Sequence, residues 1–127
     1  MLDSTSSPRV AVIDDDLGFA QSAAALLQSD GYAVDLYGSA ETFLAGEHRP
    51  NYCCLLVDWG LPGMKGTALC QRLLADDAQA RMILMSGARL NCQGDKPVPG
   101  VEFFEKPFDP DRLLAEISQD CGCAASR

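Results

Sequence analysis

Five side chains stand where apolar runs of this chain stop: Asp14, Asp15, Asp58, Ser86 and Lys106. Val10-Ala11-Val12-Ile13 leads into Asp14-Asp15-Asp16, and residues 52–57 lead into Asp58. Residues 81–85 lead into Ser86-Gly87, and residues 101–104 into Glu105-Lys106-Pro107. Taken singly, each is ordinary. An Asp after a strand usually caps a helix or forms a turn. Ser-Gly is a common turn, and Lys-Pro a common element boundary. Gathered on one rim, they make a different proposition. Neighbouring carboxylates repel one another, and a hard cation relieves that repulsion. Mg²⁺ suits the role, because it takes oxygen ligands, often one or two carboxylates with waters and phosphate. A carboxylate is also a nucleophile toward phosphorus. A cation, an ammonium and a hydroxyl would then hold three phosphoryl oxygens as charge develops on them.

The elements needed to gather these residues are legible. Residues 10–13 and 52–57 are continuously apolar, as in strands covered on both faces. Residues 32–37 alternate, and residues 81–85 and 101–104 supply two further strands. Asp16 caps a helix carrying Phe19, Ala23, Leu26 and Leu27, which Gly31 ends. Ser39 caps a short helix with Phe43 and Leu44, and residues 46–50 break it. Residues 59–65 form a Gly/Pro loop before a helix with Leu69, Cys70, Leu73 and Leu74. Asp109-Pro110 opens a last helix with Leu113, Leu114 and Ile117. Five strands alternating with helices predict a doubly wound α/β fold, with a parallel sheet in the order 2-1-3-4-5. Ligands of such sheets sit beyond the carboxyl ends of the strands.

Bulk properties narrow the function further. A length of 127 residues suits one domain. The expected division is an N-terminal arm over residues 1–8, one folded domain over 9–122, and a tail or linker start over 123–127. A net charge of −8 repels phosphate backbones, so no nucleic-acid binding by this chain alone is expected. No apolar run approaches the ~20 residues that span a bilayer, and no secretory signal opens the chain, so no membrane association and a cytoplasmic location are expected. The six cysteines lack paired metal-ligand or framework spacing. Structural or incidental roles are expected of them, with no disulfide needed for folding.

Four segments in order carry a resemblance to the receiver domains of bacterial two-component response regulators. These are Val12-Ile13-Asp14-Asp15-Asp16, Leu55 through Gly66 around Asp58, Ile83-Leu84-Met85-Ser86-Gly87, and Phe103-Phe104-Glu105-Lys106-Pro107-Phe108. The match runs from about Arg9 to Cys121. It implies that Asp58 is the phosphoacceptor. Asp15, Asp58 and the Gly60 carbonyl would hold Mg²⁺, with Asp14 acting through a metal-bound water. Lys106 would pair with the phosphoryl group and Ser86 hydrogen-bond it. Phe103 takes the aromatic switch position, and Pro107 resembles a proline commonly preceded by a cis bond. Asp16 competes with Asp14 for a place in the acidic pair, but only Asp14-Asp15 directly follow Ile13. The resemblance further implies a phosphorylation switch rather than a classical enzyme. Its partners would be a sensor histidine kinase and an output domain or partner protein, with a homodimer on phosphorylation as one outcome. The acidic and Lys-Pro-Phe segments lean toward regulators with a C-terminal helix-turn-helix output.

Departures from the family pattern are specific. Lys65 stands where the family usually has Asp or Ser. Gly60 and Ala88, two residues past Asp58 and Ser86, lack side-chain reach. Between Ser86 and Lys106 the family places a helix, yet this stretch holds Gly94, Pro97 and Pro99, each costly in a helix interior. That helix is expected to be degenerate or missing. The alternative to the switch is a pseudo-receiver, a protein-interaction module without phosphotransfer. A phosphatase with an aspartyl nucleophile is a third reading, but it resembles Asp-x-Asp at the nucleophile, and here the second position is Gly60.

Overall fold

The computed structural model describes residues 8–46, 52–75, 81–86, 101–105 and 109–121. The elements, in chain order, are β1 (Arg9–Ile13), α1 (Leu17–Ser29), β2 (Ala33–Tyr37), α2 (Ala40–Ala45), β3 (Cys54–Asp58), α3 (Gly66–Ala75), β4 (Arg81–Ser86), β5 (Glu102–Glu105) and α4 (Pro110–Cys121). The strands form one sheet in the order β2-β1-β3-β4-β5. Every adjacent pair is parallel.

Strand chemistry explains the sheet. All five residues of β3 are buried, as are the last four of β1 and the last five of β4. These runs are covered from both sides, so they carry no polar alternation. β2 lies at one edge and is only partly covered, which accounts for its alternating character.

Two core layers follow from the period-2 geometry of the strands. Ala11, Ile13, Leu55, Val57 and Leu84 face one way and meet Phe43 of α2 and Leu69 of α3. Val10, Val12, Leu56, Ile83 and Met85 face the other way and meet Leu27 of α1 and Leu113 of α4. Each large side chain buried in this way contributes roughly 1.5–3 kcal/mol.

The helices begin where capping chemistry dictates. The Asp16 carboxylate accepts the Phe19 amide at 3.1 Å and starts α1. The Ser39 hydroxyl accepts the Thr42 amide at 3.0 Å and starts α2. The Asp109 carboxylate accepts the Asp111 amide at 3.1 Å ahead of Pro110. Each such cap contributes about 1 kcal/mol. After α1 the chain reverses at Gly31, whose φ of 97° is a left-handed conformation that side chains disfavour.

A polar network ties edge strand β2 to its neighbours. Arg9 of β1 donates to both carboxylate oxygens of Asp35 at 2.9 Å. Tyr52, just ahead of β3, donates its hydroxyl to Asp35 at 2.7 Å. With that proton committed, Tyr37 is the donor in the 2.7 Å contact between the two tyrosine hydroxyls. Burial, then the bonds to Tyr37 and Asp35, push the Tyr52 phenol far above its usual range and keep it a neutral donor.

The cysteines divide. Cys54 and Cys70 are buried and outside any disulfide, and burial pushes the Cys70 thiol up to about 12, so it behaves as a small apolar side chain. Cys53 departs from expectation, because it is disulfide-bonded. Its position one residue before an apolar strand gave no such signal, since a pairing depends on a second cysteine brought near by the fold. The expected loss of the helix between β4 and β5 concerns residues 88–100, which lie outside the described residues.

Candidate functional site

The site follows from one topological fact. β1 pairs with β2 on one side and with β3 on the other. The chain therefore leaves β1 in one direction through α1 and works outward in the opposite direction from β3. Connections diverge between β1 and β3, opening a crevice at their carboxyl ends. Ile13 stands opposite Val57 in the ladder, so Asp14 and Asp58, each the next residue, emerge side by side.

Asp14 and Asp58 are buried and Asp15 is exposed, and one carboxylate oxygen from each lies within 4.8 Å of the others. The backbone fixes them. The Asp14 amide donates to the Tyr37 carbonyl at 2.9 Å and extends the β1–β2 ladder by one bond. Asp14 Oδ1 accepts the Asp16 amide at 2.9 Å, which turns the chain sharply and sends Asp15 to the surface. Asp16 is committed to capping α1, so it stands apart from the acidic pair, as the strand register implied.

Asp58 is held from both ends. It is the last residue of β3, opposite Met85 of β4. The following amide, Trp59, donates to the Met85 carbonyl at 2.7 Å. Beyond it, the Gly66 amide donates to the Trp59 carbonyl at 3.3 Å, which folds α3 back beneath the strand end. Gly66 is required there by sterics, because a β-carbon at this position would overlap the Asp58 carbonyl oxygen. Gly60 follows two residues after Asp58, on the turn above the crevice.

Ser86 ends β4 and is buried one position beyond Met85, the residue facing Asp58. β5 places Phe103 opposite Leu84 and Glu105 opposite Ser86. Lys106 and Pro107 lie outside the described residues. The described part of the expected constellation thus converges at the ends of β1, β3 and β4. Lys65 is exposed, and its carbonyl accepts the Leu69 amide at 3.0 Å in the first turn of α3.

Three carboxylates in one pocket form a hard, anionic oxygen donor set. They fit Mg²⁺, which binds through one or two carboxylates and retains open positions for phosphate. Asp14, Asp15 and Asp58 are the residues that would hold it. When bound, the ion would offset their repulsion and neutralise charge on a transferring phosphoryl group. No helix among the described residues is long and apolar enough to cross a membrane.

One residue of this region carried no signal in the sequence. Glu41 of α2 accepts the Met64 amide at 2.9 Å, linking α2 to the loop after Asp58. An acid in the first turn of a short helix reads as an ordinary helix-dipole partner.

Comparison with known proteins agrees with this geometry. The profile of the response regulator receiver domain matches residues 10–118. The transcriptional regulatory protein FixJ of Bradyrhizobium diazoefficiens is 33% identical over 120 residues, covering 89% of this chain and 56% of FixJ. The chain spans little more than half the length of such curated relatives. The CheY-like receiver domain protein of Methanospirillum hungatei JF-1 superposes with a TM-score of 0.78 at 24% identity, over 91% of this chain and 94% of that one. The response regulator TrrA of Thermotoga maritima, solved in complex with Mg²⁺-BeF, superposes with a TM-score of 0.78 at 23% identity, over 88% of this chain and 97% of that one. A profile match spanning all five strands and the whole acidic pocket makes this chain a member of the response regulator receiver domain family, a signalling domain and not a classical enzyme.

Proposed function

We propose that this domain is a phosphorylation switch in which Asp58 accepts a phosphoryl group from a sensor histidine kinase in the cytoplasm. The observation that carries the reading is the placement of Asp58, buried at the end of β3 with an oxygen within 4.8 Å of oxygens of Asp14 and Asp15. In the transfer, an Asp58 oxygen forms a bond to phosphorus while the bond from phosphorus to the donor's imidazole nitrogen breaks. The imidazole leaves with the electron pair and takes up a proton. Asp15, Asp58 and the Gly60 carbonyl would hold Mg²⁺, Asp14 would act through a metal-bound water, and Ser86 and Lys106 would contact the phosphoryl oxygens. Phe103 and Ser86 rearrange as the phosphorylated form shifts a pre-existing equilibrium toward the active state. An output domain or a partner protein reads that state, and a homodimer on phosphorylation is one form of the readout. Residues 9–122 make up the receiver, residues 1–8 an arm, and residues 123–127 a tail or the start of a linker. Incubation with a small phosphodonor and Mg²⁺ is expected to add one phosphoryl group by intact mass. No uptake would favour the pseudo-receiver.

Metal binding gives an independent prediction. Millimolar-scale Mg²⁺ is expected to raise the melting temperature by mass action, because only the folded state gathers the three carboxylates. In Asp15→Ala the shift is expected to be largely lost. An equal shift in parent and variant would remove Asp15 from the site.

The segment 88–100 is a place where the switch can differ from the family. Its prolines and Gly94 argue for a loop in place of a regular helix, and phosphorylation would then act by ordering it. Amide exchange across 88–100 is expected to be fast and to slow on phosphorylation. Strong protection beforehand over most of that span would mean that a helix is present.

A further inference from the structure

We propose that Glu41 is a positioning residue for the Mg²⁺ and phosphoacceptor pocket, acting through the loop between β3 and α3. This rests on the reading that the Gly60 carbonyl, carried by that loop, is a metal ligand. The loop leaves Asp58 and is tied at its start by the Trp59 amide on β4 and by the buried side chain of Leu61. On its far side, the Met64 amide donates to Glu41 Oε2 at 2.9 Å. Glu41 is well placed to act as an anchor, because α2 is fixed to the body of the protein. Ser39 caps it through the Thr42 amide, and Ala40 and Phe43 are buried in the core on either side of Glu41 in sequence.

Gly63 completes the arrangement. Its φ of 72° is left-handed, and a β-carbon there would sit 2.5 Å from the same Oε2 that Met64 bonds. The turn needs a glycine for its backbone conformation, and a β-carbon there would also displace the Glu41 carboxylate from the Met64 amide. Glu41 and Gly63 form a matched pair across 22 residues of sequence, and their joint effect is to set the path of the chain over the crevice. Glu41 is exposed and makes this contact from outside the acidic pocket, so it is separable from the ligand set.

The test uses Mg²⁺ titrations followed by emission of Trp59, the protein's single tryptophan and the residue next to Asp58. Glu41→Ala is expected to weaken Mg²⁺ binding about fivefold, the effect of roughly one ordinary hydrogen bond. The Met64 amide is expected to lose exchange protection at the same time. Glu41→Gln keeps an oxygen acceptor but no charge, and is expected to bind within about twofold of the parent. If Glu41→Gln weakens binding as much as Glu41→Ala, the effect is one of charge alone and positioning is overturned. A lower melting temperature in Glu41→Ala with unchanged Mg²⁺ affinity would show a purely structural contact and also overturn it. A coupled measurement stands apart from the metal. Gly63→Ala is expected to cost less stability in the Glu41→Ala background, where the overlap is gone and only the φ strain remains. Equal cost in both backgrounds would refute the pairing. Failure of the parent protein to bind Mg²⁺ at all would remove the metal-site reading together with this proposal. Normal binding in the parent, with both variants unchanged, would remove the proposal alone.

Discussion

Asp58→Asn is expected to abolish phosphoryl uptake completely while making the metal-free domain more stable. The two effects have one cause. Asn has nearly the shape of Asp, so the packing at the end of β3 is preserved. It offers an amide in place of a carboxylate, and so has no anionic oxygen to attack phosphorus. The parent holds oxygens of Asp14, Asp15 and Asp58 within 4.8 Å of one another, and two of the three residues are buried. Removing one negative charge relieves a repulsion of about 2 kcal/mol with each neighbouring carboxylate at an effective dielectric intermediate between protein and water. Intact mass after treatment with a phosphodonor reads the first effect, and a thermal melt in a chelator reads the second. Uptake by Asp58→Asn equal to that of the parent would place the phosphoacceptor elsewhere. A fall in stability without metal would mean that the lost carboxylate was net favourable in its surroundings.

Gly66→Ala should have the largest effect on folding of any β-carbon added at Gly18, Gly31, Gly38, Gly60, Gly63 or Gly66. At Gly18, Gly38 and Gly60 a β-carbon is accommodated, and at Gly38 it would meet nothing within 4 Å. At Gly66 it would fall on the carbonyl oxygen of Asp58, a backbone atom unable to rotate aside, and come within 3.1 Å of Leu84 Cδ2. The first turn of α3 or the end of β3 must move. Overpacking a tight site costs 1–3 kcal/mol, and a backbone obstacle puts this case at about 3 kcal/mol. For a domain of this size the melting temperature is expected to fall by about 10 °C. Because the displaced atom belongs to Asp58, Mg²⁺ binding should weaken too. Gly38→Ala serves as the control and should be nearly neutral. If Gly66→Ala melted like Gly38→Ala, α3 could not lie as close to the end of β3 as the structure places it.

Much of this protein is written locally along the chain. The apolar runs ending in Asp14, Asp58 and Ser86 specify strands buried on both faces, because burial removes any need for polar alternation. Asp16 and Ser39 start α1 and α2 through bonds spanning only three residues, so the sequence around them was sufficient. The acidic pocket was legible for a related reason. Once the sheet order is known, residues at the ends of adjacent parallel strands must be neighbours. Tertiary structure alone decided which distant groups complete these elements. Glu41 meets Met64 across 23 residues, Tyr52 meets Asp35 across 17, and Cys53 is committed to a disulfide. Nothing in the spacing of these residues marks them, because such contacts depend on where whole helices and loops come to rest after the core has packed. Hydrophobic patterning acts over a few residues and repeats with the element's period. A single side-chain bond between elements has no period, and so leaves no trace in one sequence.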